Sequence, residues 1–325
     1  MTTLSFDSRY GRKRKGRFRR ELSKNGPLFL FLLPGALYLF IFAYLPIPGA
    51  LIAFKNYTIS GTNIFTNFIN SKWVGFDNFR FLFATPDAFT YTRNTVGYNF
   101  MWIVLGLVVS VAIAVTITEL WSARLSKVFQ TTMLLPFFLS WVVVSYLVYA
   151  LLNPQFGVIN TILINFGLIA KPIQWYLDPK HWPYILTIAN LWKYSGYNCI
   201  IYISAISGLD MELYDAAAID GAGKWQQTKS ITLPLLQPMM ITMTLLAFGR
   251  IFYGNFDMFF NLPMGSAITY PTTMVIDTYV YNSLQQSYQI GITTACGLYQ
   301  SVVGCFLVIA ANLIVRKFDP DSALF

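Results

Sequence analysis

A chain of 325 residues that is 55% hydrophobic and only 11% charged carries more apolar surface than a water-soluble core of that size needs, so a purely soluble enzyme or binding module is excluded. Its net charge of +9 would suit an anionic partner, yet Arg9, Arg12, Lys13, Arg14, Lys15, Arg17, Arg19, Arg20 and Lys24 all precede the first apolar run. That placement fits a positive-inside signal and a tether to lipid headgroups rather than a nucleic-acid surface.

In chain order, the stretches 25–54, 94–118, 128–152, 230–249 and 285–315 contain no charged residue, and 182–209 is interrupted only by Lys193. Each approaches or exceeds the roughly 20 residues that a membrane-crossing helix needs. The expectation is an all-α membrane protein with six spans, near 27–53, 95–118, 129–152, 183–207, 232–254 and 290–315. Two regions follow from this: a basic arm over 1–26 and a six-helix membrane domain over 27–325 with an inserted loop at 208–235. The first run is longer than a signal-peptide core and carries Pro34, Pro46 and Pro48 without a small-residue cleavage site, so it is expected to remain as an anchor. An even number of spans puts both termini and the 208–235 loop in the cytoplasm with Arg124, Lys127, Lys224, Lys229, Arg316 and Lys317, against Lys55, Lys72, Arg80, Arg93, Lys171 and Lys180 in external loops, so the N-terminal arm supplies the whole basic bias.

The connections carry turn chemistry. Ser60–Asn63 opens an external segment rich in aromatics, Asn153–Gly157 makes a turn before an apolar stretch too short to span, and Pro263, Gly265 and Pro271 organise the connection before the last span by turns. In the second span Gly106, Ser110 and Ala114 recur every four residues, a stripe that lets helices approach closely.

Catalytic and metal chemistry find no support. Cys199, Cys296 and Cys305 lie inside predicted spans, and His181, the only histidine, has Asp178 nearby but no nucleophile motif. Gly221-Ala222-Gly223-Lys224 is followed by Trp225, and Ala218 stands where a phosphate loop needs its first glycine. No catalytic residue, metal ligand or cofactor is expected in this chain.

The loop at 208–235 is a polar island. Asp210 suits an N-cap, Glu212 favours the first turn, Ala216 to Ala218 raise helix propensity, and Gly221 stands where a helix end needs positive φ. Pro234 suits the first turn of the following helix. This geometry alone also fits an ordinary loop between spans. At these residues, however, the chain resembles the permease subunits of binding-protein-dependent ABC importers, whose signature is Glu-Ala-Ala, three residues, Gly, nine residues, Ile, any residue, Leu-Pro. Asp215, Ala216, Ala217, Gly221, Ile231, Leu233 and Pro234 occupy every position at that spacing, with Asp215 replacing Glu.

The resemblance is to sugar permeases, through Val74–Phe79, Asn94-Thr95 and Trp192-Lys193, and to their oligosaccharide branch through Gly254–Asp257 and Asp277–Tyr281. The overall pattern is compatible with the first permease of an alginate-oligosaccharide importer. The resemblance implies a type I ABC importer permease fold, a second permease, two ATP-binding subunits that hold ATP and Mg, and an extracytoplasmic solute-binding protein. It implies that Asp215, Ala216, Ala217, Asp220, Gly221, Ile231, Leu233 and Pro234 form the ATPase-coupling element, in the inner membrane of a bacterium.

Two groups of residues are candidates for a sugar path. Asn190, Lys193, Tyr194, Tyr197 and Asn198 share a face of the fourth span, and Arg250, Gly254 and Asp257, with Asn255 beside them, share one near the end of the fifth. A cation at such depth is costly against lipid, so Lys193 must face protein or water. Both groups equally suit internal pairing of Lys193 or Arg250 with carboxylates or helix-end carbonyls. A channel or secondary transporter would share this composition without needing the island, and the island separates the two readings.

Overall fold

The computed structural model describes residues 25–318, apart from 60, 62, 85, 121 and 288, together with Ala323. The basic arm therefore lies outside the described residues except for its last two, as do Ser60 and Thr62 of the expected turn. The chain forms two compact units, one ending at Ile52 and the other beginning at Ala53.

In the first unit the helix Gly26–Leu39 starts with a proline in its first turn and continues through Pro34. Prolines lack an amide hydrogen and crowd the preceding turn, and toward Pro46 the helix widens into a π turn, Phe40–Tyr44, closed by Leu45 N–H on the Phe40 carbonyl at 2.8 Å. A 3₁₀ stretch, Ile47–Phe54, completes a run long and apolar enough to cross a membrane.

The second unit opens with a two-residue antiparallel pairing, Lys55 opposite Trp73 and Asn56 opposite Lys72, that encloses the helix Ile64–Asn70. Lys55 is buried, donates to the Phe68 carbonyl and sits over the Phe68 and Trp73 rings, so its charge is used locally. The helix Asp77–Ala84 leads into the 33-residue helix Pro86–Thr118.

That long helix packs along Trp182–Ser207, and the two supply about half of the core. One cluster joins Tyr98, Trp102, Trp141, Trp182, Leu186 and Met258; a second joins Val111, Ala114, Ile117, Cys199 and Tyr202. The small-residue stripe thus splits in function: Ala114 is in the core, whereas Gly106 and Ser110 line a cavity.

Length and apolarity mark four described helical runs as able to span a membrane: Gly26–Phe54, Ala88–Thr118, Lys224–Phe248 and Ile290–Lys317. The expected third span is a bent pair. Ala123–Phe138 and Trp141–Leu152 meet at 97°, because Leu139 and Ser140 are extended and the Ser140 hydroxyl accepts from Val143 N–H to start a new helix. Trp182–Ser207 has the length for a span at 26 residues, but its amides and Lys193 keep it out of the strongly apolar set.

The expected fifth span is shifted at both ends. Its helix begins at Lys224 rather than near Pro234, and Pro234 is accommodated after a π turn, Thr228–Thr232, in which Leu233 N–H reaches the Thr228 carbonyl. The α-helix ends at Phe248, six residues early; 249–252 form turns and 253–255 are irregular. The connection to the last span is also more helical than its prolines and glycines suggest: Phe256–Asn261, Tyr270–Thr273 and Ile276–Ser287 precede Ile290–Phe318, with positive φ at Met264 and Gly265 making the turn.

Candidate functional site

A cavity of about 650 Å³ opens between Pro86–Thr118, Trp182–Ser207 and the unwound segment after Phe248. That size lies within the usual range for small-ligand sites. Asn190, Tyr194, Asn198 and Tyr202 form its wall on one helix at four-residue spacing, and Asn99, Trp102, Gly106 and Ser110 face them from the other. Met243, Thr244 and Ala247 line it from the helix that ends at Phe248, and Arg250, Tyr253, Asn255, Phe256 and Asp257 from the segment after it.

Helix ends and irregular backbone within a membrane need internal partners for their polar groups. Here Asn99 Nδ2 donates to the carbonyls of Ile251 and Tyr253, Gln300 Nε2 donates to Phe252 O at 2.7 Å, and the Asp277 carboxylate accepts from Gly254 N–H at 2.6 Å. Gly254 is required by this arrangement, since a Cβ there would lie 2.8 Å from Asp277 Oδ2 and from a Val275 methyl. Held this way, the segment presents Arg250 and Asp257 to the cavity.

Several of the cavity's polar groups are uncommitted. Among the described residues no carboxylate lies within ion-pair distance of Arg250, and the buried Ser110 hydroxyl has no hydrogen-bond partner. Asn255 Nδ2 donates to the Tyr194 hydroxyl at 3.0 Å, which fixes that ring against the unwound segment. Amides and hydroxyls with interspersed aromatic rings can hydrogen-bond the edges of a sugar and stack on its faces.

Six of the eight residues expected on a sugar path line this cavity: Asn190, Tyr194, Asn198, Arg250, Asn255 and Asp257. Lys193 and Tyr197 do not. Lys193 is buried, and its ammonium donates to the carbonyls of Pro136 at 3.2 Å, of Phe137 at 3.0 Å and of Leu139. The Phe137 carbonyl belongs to the last turn of the helix that stops at Phe138, Leu139 lies just past it, and the Pro136 carbonyl also accepts from Leu139 N–H at 3.2 Å, so three ammonium protons match three acceptors at the helix end. Tyr197 stacks on Phe137 with centroids 4.3 Å apart, so it belongs to the same bend. Asn99, Ser110 and Tyr202 were missed; Tyr202 simply continues the four-residue stripe, and Asn99 is an isolated amide inside an apolar run.

At the other end, Asp210 caps the helix Met211–Ile219 by accepting from Glu212 N–H at 3.0 Å. The helix closes with Gly221 N–H on Ala218 O and Ala222 N–H on Ala217 O, a paired closure that needs the observed φ of +82° at Gly221. Asp215, Ala216, Asp220 and Gly221 are exposed, Pro234 is exposed, and Ala217, Ile231 and Leu233 are half-buried. Met211, Ile219 and Trp225 form an exposed apolar rim around this turn.

Long apolar helices, a broken span and a polar cavity beside unwound backbone define an integral membrane transport permease. The match is specific as well as general: the chain belongs to the family of binding-protein-dependent transport system inner membrane components, which covers residues 106–320. Protein LplB of Bacillus subtilis (strain 168) is 32% identical over 301 residues, spanning 93% of this chain and 92% of that one. The polygalacturonan/rhamnogalacturonan transport system permease protein YteP of the same strain is 30% identical over 313 residues, 96% of this chain and 95% of its own. A permease chain in the crystal structure of a bacterial alginate ABC transporter, in complex with an alginate pentasaccharide-bound periplasmic protein, superposes with a TM-score of 0.82 at 30% identity, covering 93% of this chain and 98% of that chain. The fold is that of an ABC importer permease, a multi-pass membrane protein.

Proposed function

We propose that this chain is one permease of an ATP-driven importer that passes acidic oligosaccharides from an extracytoplasmic solute-binding protein into the cytoplasm. The observation that carries the reading is the cavity itself, where an Arg without an ion-pair partner among the described residues stands among amides and aromatic rings beside a helix held open by side chains. Broken helices of this kind place ligand groups near exposed backbone in transporters. The relatives support the substrate class, since polygalacturonan and alginate are both chains of uronic acids.

The remaining parts follow the same reading. A second permease completes the pathway, two ATP-binding subunits hold ATP and Mg, and the exposed Met211–Ile219 helix docks on one of them through Asp215, Ala216, Ala217, Asp220 and Gly221, with Ile231, Leu233 and Pro234 fixing the exit of the turn. This chain supplies no catalytic residue. Six crossings, both termini in the cytoplasm, and the division into a basic arm over 1–26 and a membrane domain over 27–325 complete the arrangement.

The test is reconstitution of the purified complex in liposomes with labelled oligogalacturonate and its binding protein. Uptake should require ATP and the co-purifying ATP-binding subunit. Uptake by this chain alone, without ATP, would make it a channel or secondary transporter and end the proposal.

A further inference from the structure

The stretch just after the Gly221 turn contains three buried polar side chains within six residues, and each is tied to a different element. Gln227 Nε2 donates to the Ala222 carbonyl at 3.1 Å, which holds the turn. Thr228 Oγ1 donates to Glu119 Oε1 at 2.7 Å, at the end of the long helix Pro86–Thr118. Thr232 Oγ1 shares a hydrogen bond of 2.9 Å with the hydroxyl of Tyr214, on the Met211–Ile219 helix. Thr228 and Thr232 are the first and last residues of the π turn, the one place where the helix Lys224–Phe248 carries an extra residue in its ladder.

Buried polar side chains are used where geometry has to be specified, because an apolar residue of the same shape would pack without hydrogen-bond demands. A π turn is a frequent site of functional adjustment in a helix, since its ladder can shift register over one turn. The stretch therefore joins three bodies: the short helix through Thr232, the long helix through Thr228, and the turn through Gln227. At its far end the same helix leads, through Met243, Thr244 and Ala247, to the cavity wall.

We propose that Tyr214, Thr228, Thr232 and Glu119 form a relay of positioning residues that carries a displacement of the Met211–Ile219 helix into both the helix Pro86–Thr118 and the helix Lys224–Phe248, so that these two of the helices lining the cavity move together. The relay rests on the reading of this chain as an importer permease, with the Met211–Ile219 helix docked on an ATP-binding subunit. Tyr214 receives the push, and Thr228 to Glu119 divides it. Breaking either bond leaves docking and ATP hydrolysis in place but lowers the substrate moved per ATP consumed.

The experiment measures, on the reconstituted complex, uptake and ATP hydrolysis together for Tyr214→Phe, Thr228→Val, Thr228→Ser and the double variant Tyr214→Phe/Thr228→Val. Substrate moved per ATP should fall about fivefold in each of Tyr214→Phe and Thr228→Val, the factor an ordinary hydrogen bond supports. Thr228→Ser should restore the wild-type ratio, and the double variant should fall by less than the product of the two single losses. A wild-type ratio in both single variants overturns the relay, as does a loss of the co-purifying ATP-binding subunit in Thr228→Val that Thr228→Ser does not repair, which would trace the effect to packing at this position rather than to the bond. Gly221→Val in the same assay separates this from the broader reading: if it uncouples while the relay variants do not, the docking proposal survives and the relay fails.

Discussion

The ammonium of Lys193 lies 3.0 Å from the carbonyl oxygen of Phe137, at the bend where the helix Ala123–Phe138 gives way to Trp141–Leu152. It also reaches the Pro136 and Leu139 carbonyls and stands 5.3 Å from the Trp141 ring centroid. A charge in a membrane helix is here a structural clamp for a broken span, not a ligand for the cavity. The clamp also explains how the chain can turn through 97° without leaving helix-end carbonyls exposed to an apolar surrounding.

Lys193→Met should therefore remove the ammonium from the Phe137 and Leu139 carbonyls and one of two donors from the Pro136 carbonyl, which keeps Leu139 N–H, at roughly 1–3 kcal/mol for each carbonyl left unsatisfied. The expected result is a sharp loss of folded, monodisperse protein in detergent, and equal loss of acidic and neutral oligosaccharide uptake. Size-exclusion profiles and thermal unfolding of the purified complex measure the first; selective loss of acidic uptake with normal stability would return Lys193 to the sugar path.

Two glycines on facing helices should respond in opposite ways. A Cβ at Gly196 would fall 1.8 Å from the Met133 carbonyl oxygen, so the backbones of Trp182–Ser207 and Ala123–Phe138 are in contact there. At Gly106, which lines the cavity, a Cβ meets nothing within 4 Å. Gly196→Ala should destabilise the protein by about 1–3 kcal/mol or more through overpacking, whereas Gly106→Ala should fold normally and alter only uptake. Unfolding temperatures of the two variants, measured side by side, decide this; similar values would contradict the close approach.

Gly221→Val isolates a backbone effect. No neighbour lies within 4 Å of a Cβ at this position, so its φ of +82° is the sole source of strain, worth about 1–2 kcal/mol for a residue with a Cβ. Insertion and folding should survive, while uptake and substrate-stimulated ATP hydrolysis fall; Gly221→Asn should be milder, because asparagine tolerates this region. Parallel uptake by Gly221→Val and wild type would show that the turn can reshape without consequence.

Charge-free runs were enough to find the apolar segments, because lipid imposes composition over twenty residues at a time. The capped helix after Asp210 and the turn at Gly221 were equally legible, since caps and positive φ are local requirements. The bend after Phe138 was not, because a broken span and a straight one have the same apolar composition and the group that permits the break, Lys193, is some 54 positions away. The polar face around Asn190 was visible as one stripe but is two: Asn190, Tyr194 and Asn198 face the cavity, and Lys193 and Tyr197 face the bend. Spacings of three and four cannot separate adjacent faces until the neighbouring helix is known. The early end of the helix at Phe248 depends likewise on distant partners, Asn99, Asp277 and Gln300.

Arg250 and Asp257 give the cavity its charge. Both are exposed in the lining, and neither has an ion-pair partner among the described residues. A uronate carboxylate entering this space can take the Arg250 fork in a charge-assisted hydrogen bond, worth about 1.5–3 kcal/mol, while the Asp257 carboxylate opposes it. Arg250→Met should thus slow oligogalacturonate transport by roughly 10- to 100-fold and leave a neutral oligosaccharide of equal length much less affected. Asp257→Asn should act in the opposite sense, holding or raising acidic uptake, because it removes the repulsion and keeps the shape. Raising the ionic strength should narrow the difference between acidic and neutral substrates in the wild type, since both groups are open to solvent. Transport assays with the solute-binding protein held saturated with each sugar keep capture out of the comparison. If Arg250→Met slows both sugars alike while the complex remains intact, the guanidinium shapes the unwound segment and the acid preference resides elsewhere.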